Sequence, residues 1–97
     1  MCGANYECLY QGFKNFVDAN DVIVVVPNYR TGVFGYMQAD ASDTNSANLF
    51  MVDLWQALLW VEHNIENFGG DRQKVTLAGQ GSGAMATHLQ CEARGLM

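Results

Sequence analysis

Val22 to Val26 reads V-I-V-V-V, five consecutive β-branched residues with no polar position among them. Such side chains are stiff at χ1 and pack well on a pleated surface. A run without alternation has no solvent face, so the strand it predicts is buried on both sides. That points to a parallel sheet covered by helices on either face. Turn residues bracket the run, Asn20-Asp21 before it and Pro27 after it, and proline cannot donate to a ladder.

The neighbouring segments supply candidates for the covering helices. Leu9, Phe13, Phe16 and Val17 fall on one face of a short helix over residues 9–19, interrupted by Gly12. Residues 28–47, with Gly32, Gly35 and the stretch Q-A-D-A-S-D-T-N-S-A, read as a long loop over the top of the sheet. From about residue 49 Met51, Leu54, Trp55, Leu58, Val61, Ile65 and Phe68 follow helical spacing, with Glu62 and Glu66 on the other side. Asp53 lies near the start of this helix, at the positive end of its dipole. Gly69-Gly70 closes it. Trp55 and Trp60 are expected in the core.

Val75 to Ala78 forms a second short predicted strand, Gly79 to Gly83 a tight turn, and Ala84 to Cys91 another helix. Two strands joined by a helical crossover are parallel and right-handed, which makes the chain a slice of a doubly wound α/β sheet. Such a two-stranded unit cannot bury its own faces.

Composition points the same way. The chain has 97 residues, enough for one ordinary domain at most, and 49% of them are apolar against 15% charged. A free-standing domain carries about 25% charged residues, so residues 1–97 are expected to be an interior fragment of a single larger domain. Disorder is excluded. With 5 basic and 10 acidic side chains the net charge is −5, and Lys14, Arg30, Arg72, Lys74 and Arg94 are scattered, which excludes a nucleic-acid interface. There is no apolar run long enough to cross a bilayer, no signal peptide at the first residues and no N-x-[ST] acceptor. A membrane anchor would have to lie outside these residues. Cys2, Cys8 and Cys91 show no zinc-ligand spacing, and no metal site is expected. A Cys2–Cys8 bridge and three unpaired thiols both remain open readings.

Chemistry concentrates at Gly79-Gln80-Gly81-Ser82-Gly83, between a strand and a helix. The alternate glycines do not match the dinucleotide fingerprint G-x-G-x-x-G, and no Walker lysine follows, so no nucleotide cofactor is expected. The better match is the nucleophile elbow G-x-S-x-G. Both flanking glycines are present, but the central position is Gly81, and the serine is displaced to Ser82. His63 and His88 read as structural residues of their helices. Arg30 reads as a fold-holding ion-pair partner for a carboxylate such as Asp71. The 37–47 stretch reads either as a partner-binding surface or as a solvated loop.

Three longer motifs resemble the type-B carboxylesterase and cholinesterase-like family of α/β-hydrolases. Asn28-Tyr29-Arg30-x-Gly32-x-x-Gly35-Tyr36 is similar to its N-Y-R-x-G-x-x-G-F segment. Asn48 and Asp53 match its N-x-G-x-x-D-Q stretch, with Phe50 and Leu54 in place of the glycine and glutamine. Residues 57–71 follow A-L-x-W-V-x-x-N-I-x-x-F-G-G-D, after which Arg72 stands where the family has proline. The motifs cover residues 10–97. Met1 to Ala4 resemble the residues just after the H-G-G-G-F oxyanion loop, and Met97 falls before the family's acid and histidine.

The resemblance fixes the register of the elbow. The family's serine lies thirteen residues after the phenylalanine of F-G-G-D, which here is Gly81. Glycine relaxes a strained turn and provides no hydroxyl to acylate. Ser82 is one step into the helix, rotated by about 100°, and in the family that position supplies an oxyanion-hole N–H. The resemblance therefore implies a non-catalytic, neurotactin- and neuroligin-like branch acting in cell adhesion or protein recognition. It implies an extracellular or cell-surface location, a protein ligand and no cofactor. Gln80 agrees, since many active members carry glutamate there. The alternative is an active serine carboxylesterase in which Ser82 attacks a small-molecule carboxylic ester.

Overall fold

The structure, a computed structural model, describes residues 6–38, 42 and 47–93, with side chains described from residue 12 onward. Its elements are α1 (Tyr6–Asn20), the single-turn α2 (Val33–Tyr36), α3 (Leu49–Asn64) running into a 3-10 turn (Ile65–Phe68), and α4 (Ser82–Ala93). The three long helices stand where the sequence predicts them: α1 and α4 are extended by one to three residues at their ends, while α3 starts at residue 49 as expected and gives way to the 3-10 turn for its last four residues. The expected 28–47 loop differs in holding α2, closed by hydrogen bonds from the Gly35 and Tyr36 N–H groups to the Gly32 carbonyl.

The two predicted strands are not realised as sheet. Among the described residues neither 22–26 nor 75–78 carries ladder pairing, and the two segments do not pair with each other. The physical reason is the one that makes the chain look like a slice. Consecutive strands of a doubly wound sheet need not be neighbours, and a strand without a neighbour has nothing to complete its hydrogen bonds. Val22, Ile23, Val25, Val26, Val75 and Leu77 are correspondingly exposed. The chain presents 7823 Å² of surface, against about 5,500 Å² for a closed monomer of this mass.

What core there is gathers on α3. Phe50, Ile65 and Ala86 are the buried apolar residues among those described, and Gln90 is buried beside them. α3 packs on α2, on the 3-10 turn and on α4, while among the described residues α1 packs on none of the other helices. The aromatic rings of Tyr36 and Phe50 lie 4.5 Å apart, and Tyr29 approaches Phe50 at 6.5 Å. Phe50 thus fills the position where the resembled motif has glycine, and it anchors the segment after Pro27 on the start of α3.

The far end of the long helix closes by hydrogen-bond geometry. Gly69 is left-handed at φ 84°, its N–H reaching the Glu66 carbonyl at 3.1 Å, and the Gly70 N–H reaches the Ile65 carbonyl at 3.0 Å. These crossed bonds are the Schellman closure that satisfies the last carbonyls. Gly70 is required for space, since a Cβ there would stand 2.6 Å from Ile65 Cγ1 and 3.2 Å from Ile23 Cδ1. Arg72 pairs with Glu66 at 3.3 Å on the surface. Trp60 departs from the expected core placement. It is 48% exposed and lies against Phe68, ring centroids 5.9 Å apart, because α3 is covered on its other face.

Candidate functional site

The turn between residue 79 and α4 is held by main-chain bonds. The Gly83 N–H donates to the Gln80 carbonyl at 3.0 Å and the Ala84 N–H to the Gly81 carbonyl at 3.1 Å. Its glycines serve different ends. A Cβ on Gly79 would collide with the Gly83 carbonyl and stand 2.7 Å from the Ala84 nitrogen, so the chain can approach itself only without a side chain there. Gly81 has φ +61°, a conformation uncommon for residues with a Cβ, yet a Cβ built on it meets nothing within 4 Å. Backbone conformation, not space, makes glycine favourable at 81.

Ser82 opens α4 and is exposed, as is Gln80. A residue at 81 would project into open space, whereas Ser82 already follows the helical screw. Neither histidine joins them. His63 donates its Nδ1–H to the Leu59 carbonyl at 2.7 Å, one turn back on its own helix, and His88 lies exposed on α4. Among the described residues no group of His, Cys, Asp and Glu could hold a metal ion, and no helix is long and apolar enough to cross a membrane. Cys91 is a free thiol; Cys2 lies outside the described residues, and only the backbone of Cys8 is described. Most of the 37–47 stretch also lies outside them.

The main electrostatic feature corrects the expected partner of Arg30. Its guanidinium grips Asp53, not Asp71, through Nη2 to Oδ1 at 2.6 Å and Nε to Oδ2 at 2.8 Å. The Arg30 main-chain N–H adds a third bond to Oδ2 at 3.0 Å. A planar fork meeting a carboxylate in this way fixes direction as well as distance. Hydrogen bonds from the Arg30 side chain, then from its backbone, hold the Asp53 carboxyl below its ordinary value of 3.8, and the same bond raises the guanidinium. Asp53 falls in the second turn of α3 and is committed to Arg30, so the helix dipole is not its main partner. Asp71 instead accepts the Gln73 N–H at 2.9 Å, shaping the turn that leads to residue 75, and lies 3.7 Å from Lys74 Nζ. Sequence spacing gave no means to choose between Asp53 and Asp71.

A second link was missed altogether. Gln90 Nε2 donates to the Met51 carbonyl at 2.6 Å, tying α4 to the first turn of α3. The available signal was its position four residues after Ala86, on the same helix face.

The carboxylesterase family model matches residues 3–94. A para-nitrobenzyl esterase of Bacillus subtilis is 42% identical over 85 residues, covering 87% of this chain and 17% of that protein. Neurotactin of Drosophila melanogaster is 44% identical over 76 residues, 73% of this chain and 9% of that protein. Neuroligin-2 of Mus musculus is 41% identical over 69 residues, 71% of this chain and 8% of that protein. No solved structure matches. The chain belongs to the carboxylesterase family, in its type-B, cholinesterase-like form, and that membership implies the α/β-hydrolase fold. It spans 17% or less of the length of these relatives.

Proposed function

We propose that residues 1–97 belong to one catalytically silent cholinesterase-like domain, in which Gly81 occupies the nucleophile position and the domain acts in adhesion or protein recognition at the cell surface. The observation that carries this reading is Gly81 itself. It stands between a non-helical segment and α4, at φ +61°, with glycines two residues away on either side. That is the place an elbow serine takes, and without a hydroxyl no ester bond to the protein can form there. Neurotactin and neuroligin-2 are among its relatives, at identities like that of the para-nitrobenzyl esterase, so the choice of branch rests on Gly81. Its ligand is a protein partner outside the cell, and the chemistry needs no cofactor.

Ser82 is exposed but begins the helix, pointing about 100° away from the direction of residue 81. An attacking oxygen must reach its carbonyl carbon within about 3–3.5 Å and in line, so Ser82 contributes its main-chain N–H and not a nucleophile. The test is turnover of short-chain aryl esters by the folded full-length protein. Wild type and Ser82→Ala are expected at the buffer rate alike. Turnover by wild type that Ser82→Ala abolishes would instead make this an esterase with a displaced nucleophile, its substrate a small carboxylic ester.

A further inference from the structure

The elbow turn has main-chain bonds within itself, but these do not decide which way it faces. Nothing in α4's own ends does so: it has no acidic residue in its first turn and no basic one in its last. Among the described helices it packs on α3, and two residues of one α4 face are buried. Ala86 is 5% exposed and Gln90, one turn on, 4%. A methyl group packs without fixing rotation about the helix axis. A buried amide does fix it, because an N–H must point at its acceptor and cannot be left unpaired.

Gln90 finds that acceptor at the Met51 carbonyl, 2.6 Å away and 39 positions distant in sequence. Met51 follows Phe50, which packs on Tyr29 and Tyr36, and precedes Asp53, which holds Arg30. One turn of α3 therefore gathers both the 29–36 segment and the elbow helix.

We infer that Gln90 is a positioning residue for the elbow: its buried amide, bonded to the Met51 carbonyl, sets the rotation of α4 against the first turn of α3 and so the direction in which residues 81 and 82 are presented. This holds whether or not residue 81 carries a nucleophile, and it does not depend on the proposed function.

Hydrogen exchange of the full-length protein, read peptide by peptide, tests it. Gln90→Met preserves side-chain length and removes the donor. The expected result is exchange faster by about fivefold or more, the effect of one buried hydrogen bond, in peptides spanning 79–85 and 49–55, with residues 6–20 unchanged. Unchanged exchange at 79–85, or equal acceleration in all three peptides, would overturn the inference. Should Gln90→Met fail to fold, the urea dependence of exchange in the wild type decides. Peptides 79–85 and 49–55 opening in one step support the link, and separate openings refute it.

Discussion

Replacing Gly79 and Gly81 by alanine, one at a time, separates two reasons for which a turn needs glycine. At Gly81 the obstacle is conformational. A Cβ meets nothing within 4 Å, but φ is +61°. Holding a residue with a Cβ in such a region costs about 1–3 kcal/mol. The alanine chain also has less freedom to lose on folding, which offsets about 0.4–1 kcal/mol. The net cost of Gly81→Ala is therefore about 0–2.6 kcal/mol. At Gly79 the obstacle is main chain. The new methyl would overlap the Gly83 carbonyl and press on the Ala84 nitrogen at 2.7 Å. Backbone atoms cannot swing aside as a side chain can, so the turn itself must open. Overpacking costs about 1–3 kcal/mol where side chains yield, and Gly79→Ala should exceed the top of that range. Urea unfolding of the full-length protein measures both, as a shift of midpoint at constant slope. Equal losses, or a larger loss at Gly81, would refute the assignment of strain to 81 and of space to 79.

Phe50→Ala should destabilise by about 3–5 kcal/mol, as truncation of a buried ring does, because Phe50 is buried and holds both Tyr29 and Tyr36; urea unfolding reads the loss. The Arg30–Asp53 pair should make stability fall in acid. The Asp53 pKa in the folded chain lies below its ordinary 3.8, so the unfolded chain takes up the proton first as pH falls. Its contribution is complete above about pH 5 and disappears as pH drops through the folded value; Asp53→Asn should flatten that part of the stability–pH profile, and an unaltered profile would dismiss the pair as its source. Lys14–Asp18 and Arg72–Glu66 are exposed pairs, at 2.8 and 3.3 Å, and neutralising Asp18 or Glu66 should change stability by less than about 1 kcal/mol in thermal or urea melts.

The helices were legible in the sequence because their signals are local. Apolar spacing placed α1 and α3, the glycine turn at 79–83 preceded the expected α4, and Gly69-Gly70 marked the closure after Phe68 that the φ of Gly69 carries out. The positive φ of Gly81 was legible as well, since a glycine between a predicted strand and a helix is free to take it. The pairing of strands was not, because a ladder belongs to two segments, and V-I-V-V-V specifies one strand without supplying its neighbour. The partner of Arg30 was equally hidden. Asp53 and Asp71 are both carboxylates after the same segment, and it is the tertiary packing of that segment on the start of α3, with Tyr36 on Phe50, that brings Arg30 to Asp53. Trp60 misled for a related reason. Helical spacing identifies a face, but which face is covered depends on α2 and α4, and they pack elsewhere on α3. Gln90 is polar, so an apolar pattern passes over it, although it is buried four residues after Ala86 and its bond to the Met51 carbonyl ties α4 to α3.

The central claim is that residue 81 is the silent nucleophile position of this elbow. Intact-mass analysis after treatment with a serine-directed fluorophosphonate tests it on the folded full-length protein, comparing wild type with Gly81→Ser. The account predicts no adduct on the wild type and a single adduct on Gly81→Ser, mapped to residue 81. An adduct on the wild type that Ser82→Ala removes would contradict it.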